Sequence, residues 1–288
     1  MFFTINSKEC GKSAETVNRD SSGVTETLLL TLYSWAMESH RPDALIKDEK
    51  AVGLVAQMSD EFARFEQIPM SDAIKVMRNL SSRQYDRYAR DFLARNPEGV
   101  VVHIGCGLDS RFERVDNGQV EWYDLDLPEV IDLRRKFIDG EGGRYHLLGC
   151  SVLDNAWMGA VSAHRQRPFL FLAEGVFMYF GEAQAKSLVL TLRDHFPGAE
   201  LVFDAFSPLH VWVCNLQISI SKLSARVHWG LWRGQEIEGW ADGIRLLDEW
   251  GFFDRPEPRL DHMRWMSHIP LLARALRIYD FQLGKAAG

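Results

Sequence analysis

The chain has 288 residues, of which 46% are hydrophobic and 25% are charged. This composition is typical of a globular protein and leaves room for one large α/β domain or two modest ones. The formal net charge of -7 and the isoelectric point near 5.7 argue against electrostatic binding to nucleic acid or to an anionic membrane.

The cysteines and the N-terminus bear on the compartment. The four cysteines are widely spaced, with no CxxC and no Cys/His spacing that would hold a metal, which favours reduced thiols over disulfides or zinc. The segment MFFTINSKEC lacks the basic region and apolar run of a signal peptide. No apolar stretch reaches the length of a membrane span. We therefore expect a cytoplasmic protein without a bound metal.

The first third of the chain has helical periodicity. Residues 1–20 are polar and aperiodic, which predicts a flexible tail. Residues 21–98 form a predicted helical cap, beginning with apolar residues at helical spacing in TETLLLTLYSWAMES. Further helices are predicted over 48–58, 71–77 and 82–95.

Strand and helix signals alternate over residues 99–206. Short apolar or β-branched runs predict strands at VVVHI, VEWYDLD, RYHLLG, PFLFLAE and AELVFDAF. Helical segments at 127–138, 155–164 and 182–196 separate them, the first with Pro128 in its opening turn. This alternation predicts an α/β fold with a doubly wound, mostly parallel sheet.

The remainder of the chain is less regular. Residues 207–242 are rich in tryptophan and apolar residues, which predicts an aromatic insertion on the side of the substrate. Residues 243–288 predict a closing helix over 243–252 and a closing strand over 275–284. We expect a single domain over 21–288, with residues 99–206 as its ligand-binding core.

The turn after VVVHI is the first candidate site. Gly105 and Gly107 permit positive φ and a close approach of ligand to backbone. Ser110 stands where a dinucleotide fingerprint would have its third glycine. Asp109 would repel a pyrophosphate and would suit a positively charged ligand. A plain strand-to-helix turn is the alternative, because Gly-x-Gly alone is common.

Three more strand ends carry polar residues. Asp126 in YDLD follows the second strand, where an acid can bridge two ribose hydroxyls. Asp124 or Asp126 could instead be solvated or cap the next helix. SVLD follows the third strand, and Glu174 ends the fourth, where burial would be costly without a partner. Because these ends meet at one edge of a parallel sheet, the four together are more specific than any one.

The motifs IGCGLDSRFERV, WYDLDLPEVIDLRR, SVLD and AEGVFMYF resemble those of a known family. They are similar to S-adenosylmethionine-dependent methyltransferases related to leucine carboxyl methyltransferase and to the tetracenomycin-type polyketide O-methyltransferases. The resemblance covers about residues 24–204. It implies a class I methyltransferase-like Rossmann fold, with S-adenosylmethionine as cofactor and S-adenosylhomocysteine as product.

The resemblance also implies roles for individual residues. Cofactor contacts are expected from the glycine turn, which comprises Gly105, Gly107 and Asp109. Asp126 is expected to bind the ribose, and Ser151 and Val152, with the neighbouring Asp154, to contact the adenine. Glu174 is expected at the methionine end. An arginine before the first strand should bind the cofactor carboxylate. Arg83 is our match, with Arg87 and Arg90 as alternatives. Trp35 stands where the family has an arginine, which suggests a more apolar substrate.

The acceptor is expected to be a small molecule. A carboxylate acceptor is already ionised and needs no base, whereas a phenol with pKa near 10 is helped by one. The candidates for a base are His103, His210 and His228. Tyr179, Trp229 and Trp232 are the candidates to line the acceptor pocket, although tryptophans at 212, 229, 232 and 240 could simply pack the insertion onto the sheet.

Two other functions remain open at this point. One is a methyltransferase acting on the C-terminal carboxylate of a protein. The other is an NAD-dependent oxidoreductase, which Asp126 would suit, but which Asp109 and Ser110 argue against.

Overall fold

Seven strands form one sheet in the computed structural model, which describes residues 21–57, 71–138, 140–221 and 226–285 (backbone alone for 21–27 and 217–221). The strands are β1 Val100–Ile104, β2 Glu121–Asp126, β3 Tyr145–Gly149, β4 Phe169–Ala173, β5 Ala199–Phe206, β6 Arg245–Gly251 and β7 Leu276–Leu283. Their order is β3-β2-β1-β4-β5-β7-β6. Neighbouring strands from β3 to β5 are parallel, and β7 is antiparallel to both β5 and β6. The predicted doubly wound, mostly parallel sheet is confirmed.

The helices connect the strands and cover the sheet. They are α1 Ser21–Ser39, α2 Glu49–Gln57, α3 Asp72–Arg95, α4 Arg111–Val115, α5 Pro128–Phe137, α6 Ala156–Val161, α7 Glu182–His195, α8 Pro208–Ser221, α9 Gln235–Glu238 and α10 Pro270–Ala273. Short 3-10 helices span Ser162–His164, Phe177–Tyr179 and Pro258–His268. Within the described ranges, no helix is long and apolar enough to cross a membrane. The predicted tail at 1–20 lies outside the described residues.

Two predicted helices are in fact one. The segments 71–77 and 82–95 belong to the continuous helix α3, which Ser71 caps by accepting from the Ile74 amide. Serines favour helix ends because their hydroxyls compete for backbone groups. In α3 the Ser82 hydroxyl instead bonds to side chains of other elements, so it does not interrupt the helix.

The prediction of a helix over 243–252 is wrong. This segment forms β6, which pairs with β7 from Arg245 opposite Gln282 to Gly251 opposite Arg277. A register shift between Leu246 and Asp248 breaks the alternation that would have marked a strand. Pairing with β7 therefore overrides the local helical pattern.

The core lies on both faces of the sheet. Val100 and Val102 of β1 pack on the face covered by α7, and Val101 packs on the face covered by α3. All five residues of β1 are buried, as expected for a parallel strand between two helical layers. The order of the strands reverses between β1 and β4. The carboxyl ends of these strands are therefore where a ligand site is expected.

Candidate functional site

The turn after β1 requires its two glycines. Gly105 and Gly107 have φ of 68° and 52°, a region that other residues adopt at a cost. A Cβ on Gly105 would lie 2.4 Å from Val176 Cγ2, and one on Gly107 would lie 2.6 Å from Leu28 Cδ2. The turn is thus packed between α1 and the segment after β4, and a side chain at either glycine would be strained and would force its neighbour to shift.

Asp126 lies at the end of β2, directly beside this turn. Its Oδ2 accepts from the Gly107 amide at 2.8 Å and its Oδ1 from the Leu127 amide at 2.7 Å. Burial raises the pKa of Asp126, although these two hydrogen bonds act in the opposite direction and lower it. The structure therefore brings together Asp126 and the glycine turn, as the sequence predicted.

Asp124 has a different environment from Asp126, although the two are only two residues apart. It is fully buried and accepts hydrogen bonds from Tyr145 Oη at 2.6 Å and from Arg134. Arg134 also donates to the Gly107 carbonyl at 3.0 Å and the Asp109 carbonyl at 2.6 Å. The buried pair of Asp124 and Arg134 thus holds the backbone of the glycine turn in place.

Sequence reasoning missed Arg134, although a signal was present. Arg134 follows Val130 and Ile131 at the helical spacings of four and three, on the buried face of α5. An arginine on the apolar face of a helix needs buried partners. That position should have marked it as a structural partner of an acid at the site.

Asp109 has its partners within the protein. Its Oδ2 lies 2.9 Å from Arg111 Nη2 and its Oδ1 lies 2.8 Å from Arg114 Nη1. Burial opposes ionisation, but the two guanidiniums outweigh it and hold the pKa of Asp109 below its ordinary range. The geometry gives Asp109 a role in shaping the turn, and its predicted contact with a ligand has no support here.

Glu174 follows β4 and is less buried than these acids. Its Oε1 accepts from Ser82 Oγ at 3.1 Å and its Oε2 from Arg111 Nη2 at 2.5 Å. Ser82 in turn accepts from Trp35 Nε1 at 3.0 Å. Trp35, where the resemblance led us to expect an arginine, is therefore buried and donates to the serine that bonds to Glu174.

The prediction that Arg83 binds the cofactor carboxylate is not supported by the geometry. Arg83 and Arg87 are exposed on the face of α3 that lies beside Trp250, and Arg90 donates outward to the Arg114 carbonyl. Arg78 lies on the opposite face, one helical turn before Ser82. Burial lowers the pKa of Arg78, although electrostatic attraction by Glu174 and Tyr179 acts in the opposite direction and raises it. Arg78 is thus an arginine of α3 whose charge interacts with Glu174 at the site.

The segment after β3 forms a tight turn. The Cys150 amide donates to the Asp126 carbonyl at 2.9 Å, and the Asp154 amide donates to the Ser151 carbonyl at 2.9 Å. Val152 is buried, and its carbonyl accepts from Trp157 Nε1 at 3.1 Å. These contacts place the predicted adenine-contacting pair next to Asp126.

The three candidate bases have different environments, and His103 must be discarded as a base. His103 lies within β1 and is 2% exposed, with Nδ1 3.3 Å from Asp124 Oδ1 and Nε2 3.2 Å from Arg111 Nη1. His103 belongs to the buried network of charged residues behind the glycine turn, so it cannot reach the molecule that accepts the methyl group. His210 lies in α8 against Phe206, and burial lowers its pKa. His228 is exposed, and its amide donates to the Met178 carbonyl at 2.8 Å.

The aromatic candidates also separate. Trp229 is 6% exposed and packs against Phe203 and Trp240 in the core. The prediction that Trp229 lines the acceptor pocket is therefore wrong. Trp232 is 47% exposed at the surface, and its contact with an acceptor stays a prediction. Tyr179 ends the 3-10 helix Phe177–Tyr179, which begins three residues after Glu174.

The strand order β3-β2-β1-β4-β5-β7-β6, with β7 antiparallel to its neighbours, is that of the class I methyltransferase fold. A solved structure of a DUF574 family protein from Streptomyces avermitilis has the same fold, with a TM-score of 0.57 at 14% identity. It covers 90% of this chain and 99% of its own.

Sequence comparison identifies the family. The family profile described as leucine carboxyl methyltransferase matches residues 29–193, more than half of the chain. The tetracenomycin polyketide synthesis O-methyltransferase TcmP of Streptomyces glaucescens is 33% identical over 236 residues, which are 82% of this chain and 85% of that protein. An S-adenosyl-L-methionine-dependent methyltransferase, dpfgK of Gibberella zeae, is 26% identical over 93% of each chain. The chain belongs to the leucine carboxyl methyltransferase family, which confirms methyl transfer over NAD-dependent oxidation.

Proposed function

We propose that the protein methylates an oxygen of a small, polyketide-like molecule. The observation that carries this proposal is the 33% identity with a polyketide O-methyltransferase across most of both chains. Family membership alone leaves the acceptor open, because the family description names a carboxyl group of leucine. A carboxylate of a small molecule is consistent with the family description and with the name of this relative, and a phenolic hydroxyl is consistent with the name of the relative.

The residues at the sheet edge fit the cofactor. S-adenosylmethionine supplies a methyl group that is activated on a positively charged sulfur. Asp126 offers carboxylate oxygens to the two ribose hydroxyls, and the rigid turn of Gly105 and Gly107 lets the ligand lie against backbone. Ser151 and Val152 offer backbone and an apolar side chain to the adenine.

The methionine end of the cofactor carries an ammonium and a carboxylate, and the site has a partner for each. Glu174 is the least buried of the networked acids, with 19% of its side chain exposed, and it suits the ammonium. Arg78 suits the carboxylate, because among the residues that the structure describes its guanidinium donates one side-chain hydrogen bond, to Thr31 Oγ1 at 3.3 Å, and forms no ion pair within 4 Å. We assign to Arg78 the role that was predicted for Arg83.

The acceptor would be held between the 3-10 helix that carries Tyr179 and the start of α8. The chain must align the acceptor oxygen with the methyl group and exclude water. For a carboxylate acceptor no base is required. For a phenol, His210 is a remaining candidate for the base; burial lowers its pKa, which keeps the imidazole neutral at physiological pH but makes it a weaker base.

The test is methyl transfer from S-adenosylmethionine with a labelled methyl group. The acceptors are an aromatic polyketide acid, the matching phenol with its carboxyl removed, and a peptide that ends in leucine. Methyl esters are released by mild base and aryl ethers are not, so the product reports the acceptor oxygen. Label on the peptide alone would overturn the proposal in favour of the protein-directed alternative. Loss of binding of S-adenosylhomocysteine in Glu174→Ala, with Glu182→Ala as the exposed control, tests the cofactor assignment separately.

A further inference from the structure

A surface cleft lies on the far side of α3 from the cofactor site. Its volume is about 150 Å³, and it is bounded by α3, by the end of β6 and by the loop that follows β6. Arg83 and Arg87 line it from α3, and Arg255 lines it from the loop. At 3.6 residues per turn, Arg83 lies about 140° around the helix axis from Arg78, and Arg87 lies about 140° from Ser82. The cleft is therefore separate from the methyl-transfer site.

Two guanidiniums in this cleft are uncompensated. Neither Arg83 nor Arg255 makes a side-chain ion pair or hydrogen bond with any residue in the described ranges, whereas Arg87 lies 3.5 Å from Asp91. The nearby acids already have partners. Glu257, which lines the cleft itself, pairs with Arg259 at 3.2 Å, and Asp254 pairs with Arg277 at 3.0 Å. The cleft thus offers two free cations to an anion.

The floor of the cleft is aromatic. Trp250 and Phe252 line it, with ring centroids 5.1 Å apart in an edge-to-face arrangement. The indole N–H of Trp250 has no acceptor in the part of the chain that the structure describes. A cavity of about 150 Å³ is the size that holds one benzene ring in a protein. Guanidinium groups bind carboxylates in a planar, two-point manner and also stack on rings.

We propose that this cleft is a second binding site, specific for an aromatic carboxylate the size of benzoate. The ring lies against Trp250 and Phe252, and the carboxylate bonds to Arg83 and Arg255. The shape and charge together select this class, since a neutral ring lacks the ionic contacts and a bare anion lacks the contacts with the rings.

The experiment is a titration of the full chain with sodium benzoate, with saturating S-adenosylhomocysteine present throughout. The protein carries ¹⁵N-tryptophan, and the indole signal of Trp250 is assigned with Trp250→Phe. We expect that signal to move on addition of benzoate. Arg83→Gln and Arg255→Gln should each weaken binding about tenfold, the effect of losing a hydrogen bond to a charged group.

The controls decide the outcome. Arg165→Gln removes an exposed arginine far from the cleft and should leave the affinity for benzoate unchanged. Benzyl alcohol and inorganic phosphate should each bind at least tenfold more weakly than benzoate. Equal binding of phosphate, unchanged affinity in both cleft variants, or a Trp250 signal that does not move would each overturn the proposal. Circular dichroism confirms that each variant is folded.

Discussion

Asp204 in β5 is expected to make the folded state less stable as the pH rises from acid to neutral. Its carboxyl group is 4% exposed, and Oδ1 accepts both from Tyr85 Oη at 3.1 Å and from the Gly175 amide at 2.6 Å. Burial, followed by the neighbouring charge of Glu174, raises the pKa of Asp204 from 3.8 to about 7. The folded protein therefore holds a proton on Asp204 that the unfolded chain has already lost.

The sign and size follow from this difference in proton binding. Between pH 3.8 and about pH 7 the folded state binds one more proton than the unfolded state at Asp204, so the free energy of unfolding falls as pH rises. The full stabilisation is present below pH 3.8 and is lost above about pH 7. At about 1.4 kcal/mol per pH unit the loss is about 4 kcal/mol in total, of which about 3 kcal/mol falls between pH 5 and pH 8.

Asp204→Asn mimics the protonated group, because its oxygen can still accept both hydrogen bonds. Urea unfolding at pH 5 and at pH 8 should show the variant gaining about 3 kcal/mol relative to the parent protein between the two values. Asp261→Asn, at an exposed position, serves as the control and should follow the parent. If the free energies of unfolding of Asp204→Asn and the parent differ by the same amount at both pH values, the buried carboxyl is not protonated and the reasoning fails.

Three further predictions concern the cofactor site. Asp126→Asn should weaken binding of S-adenosylhomocysteine by about tenfold to a hundredfold in a calorimetric titration, because a charged acceptor is lost; an unchanged affinity would mean that the ribose lies elsewhere. Arg78→Ala should weaken the same binding about tenfold while Arg83→Ala leaves it unchanged, and the reverse order would restore the assignment made from sequence. Gly107→Ala should cost about 1–2 kcal/mol for its positive φ alone, plus a clash with Leu28 that Leu28→Ala relieves in a double-mutant cycle measured by thermal unfolding.

The parallel part of the fold could be predicted because burial on both faces leaves a direct trace in sequence. VVVHI and FLFLA are continuous apolar runs, and the helices between them have clear periodicity. The failure at β6 has the opposite cause. Only its last two residues are buried, and most of the others are exposed or half-buried, so the segment carries no strand pattern. Its structure depends on pairing with β7, which lies more than 20 residues further along the chain.

The site could be predicted only where its residues sit in turns at strand ends. The positions of Gly105, Gly107 and Asp126 follow from the topology, because the carboxyl ends of neighbouring parallel strands meet. The choice between Arg78 and Arg83 could not be made in this way. It depends on how α3 rotates about its own axis against the sheet, and a helix with arginines on several faces leaves that rotation undetermined.

The charges below the glycine turn explain why this edge suits a cationic cofactor. The buried network contains three arginines and five acids, namely Arg111, Arg114 and Arg134 with Asp48, Asp86, Asp109, Asp124 and Glu174. Arg90, whose side chain is half exposed, lies 3.8 Å from Asp86 and adds a fourth arginine, so the five acids exceed the arginines by one. Four of these acids have side chains at most 4% exposed, whereas that of Glu174 is 19% exposed. The excess negative charge is therefore open to ligand at Glu174, where a positively charged group gains most from it.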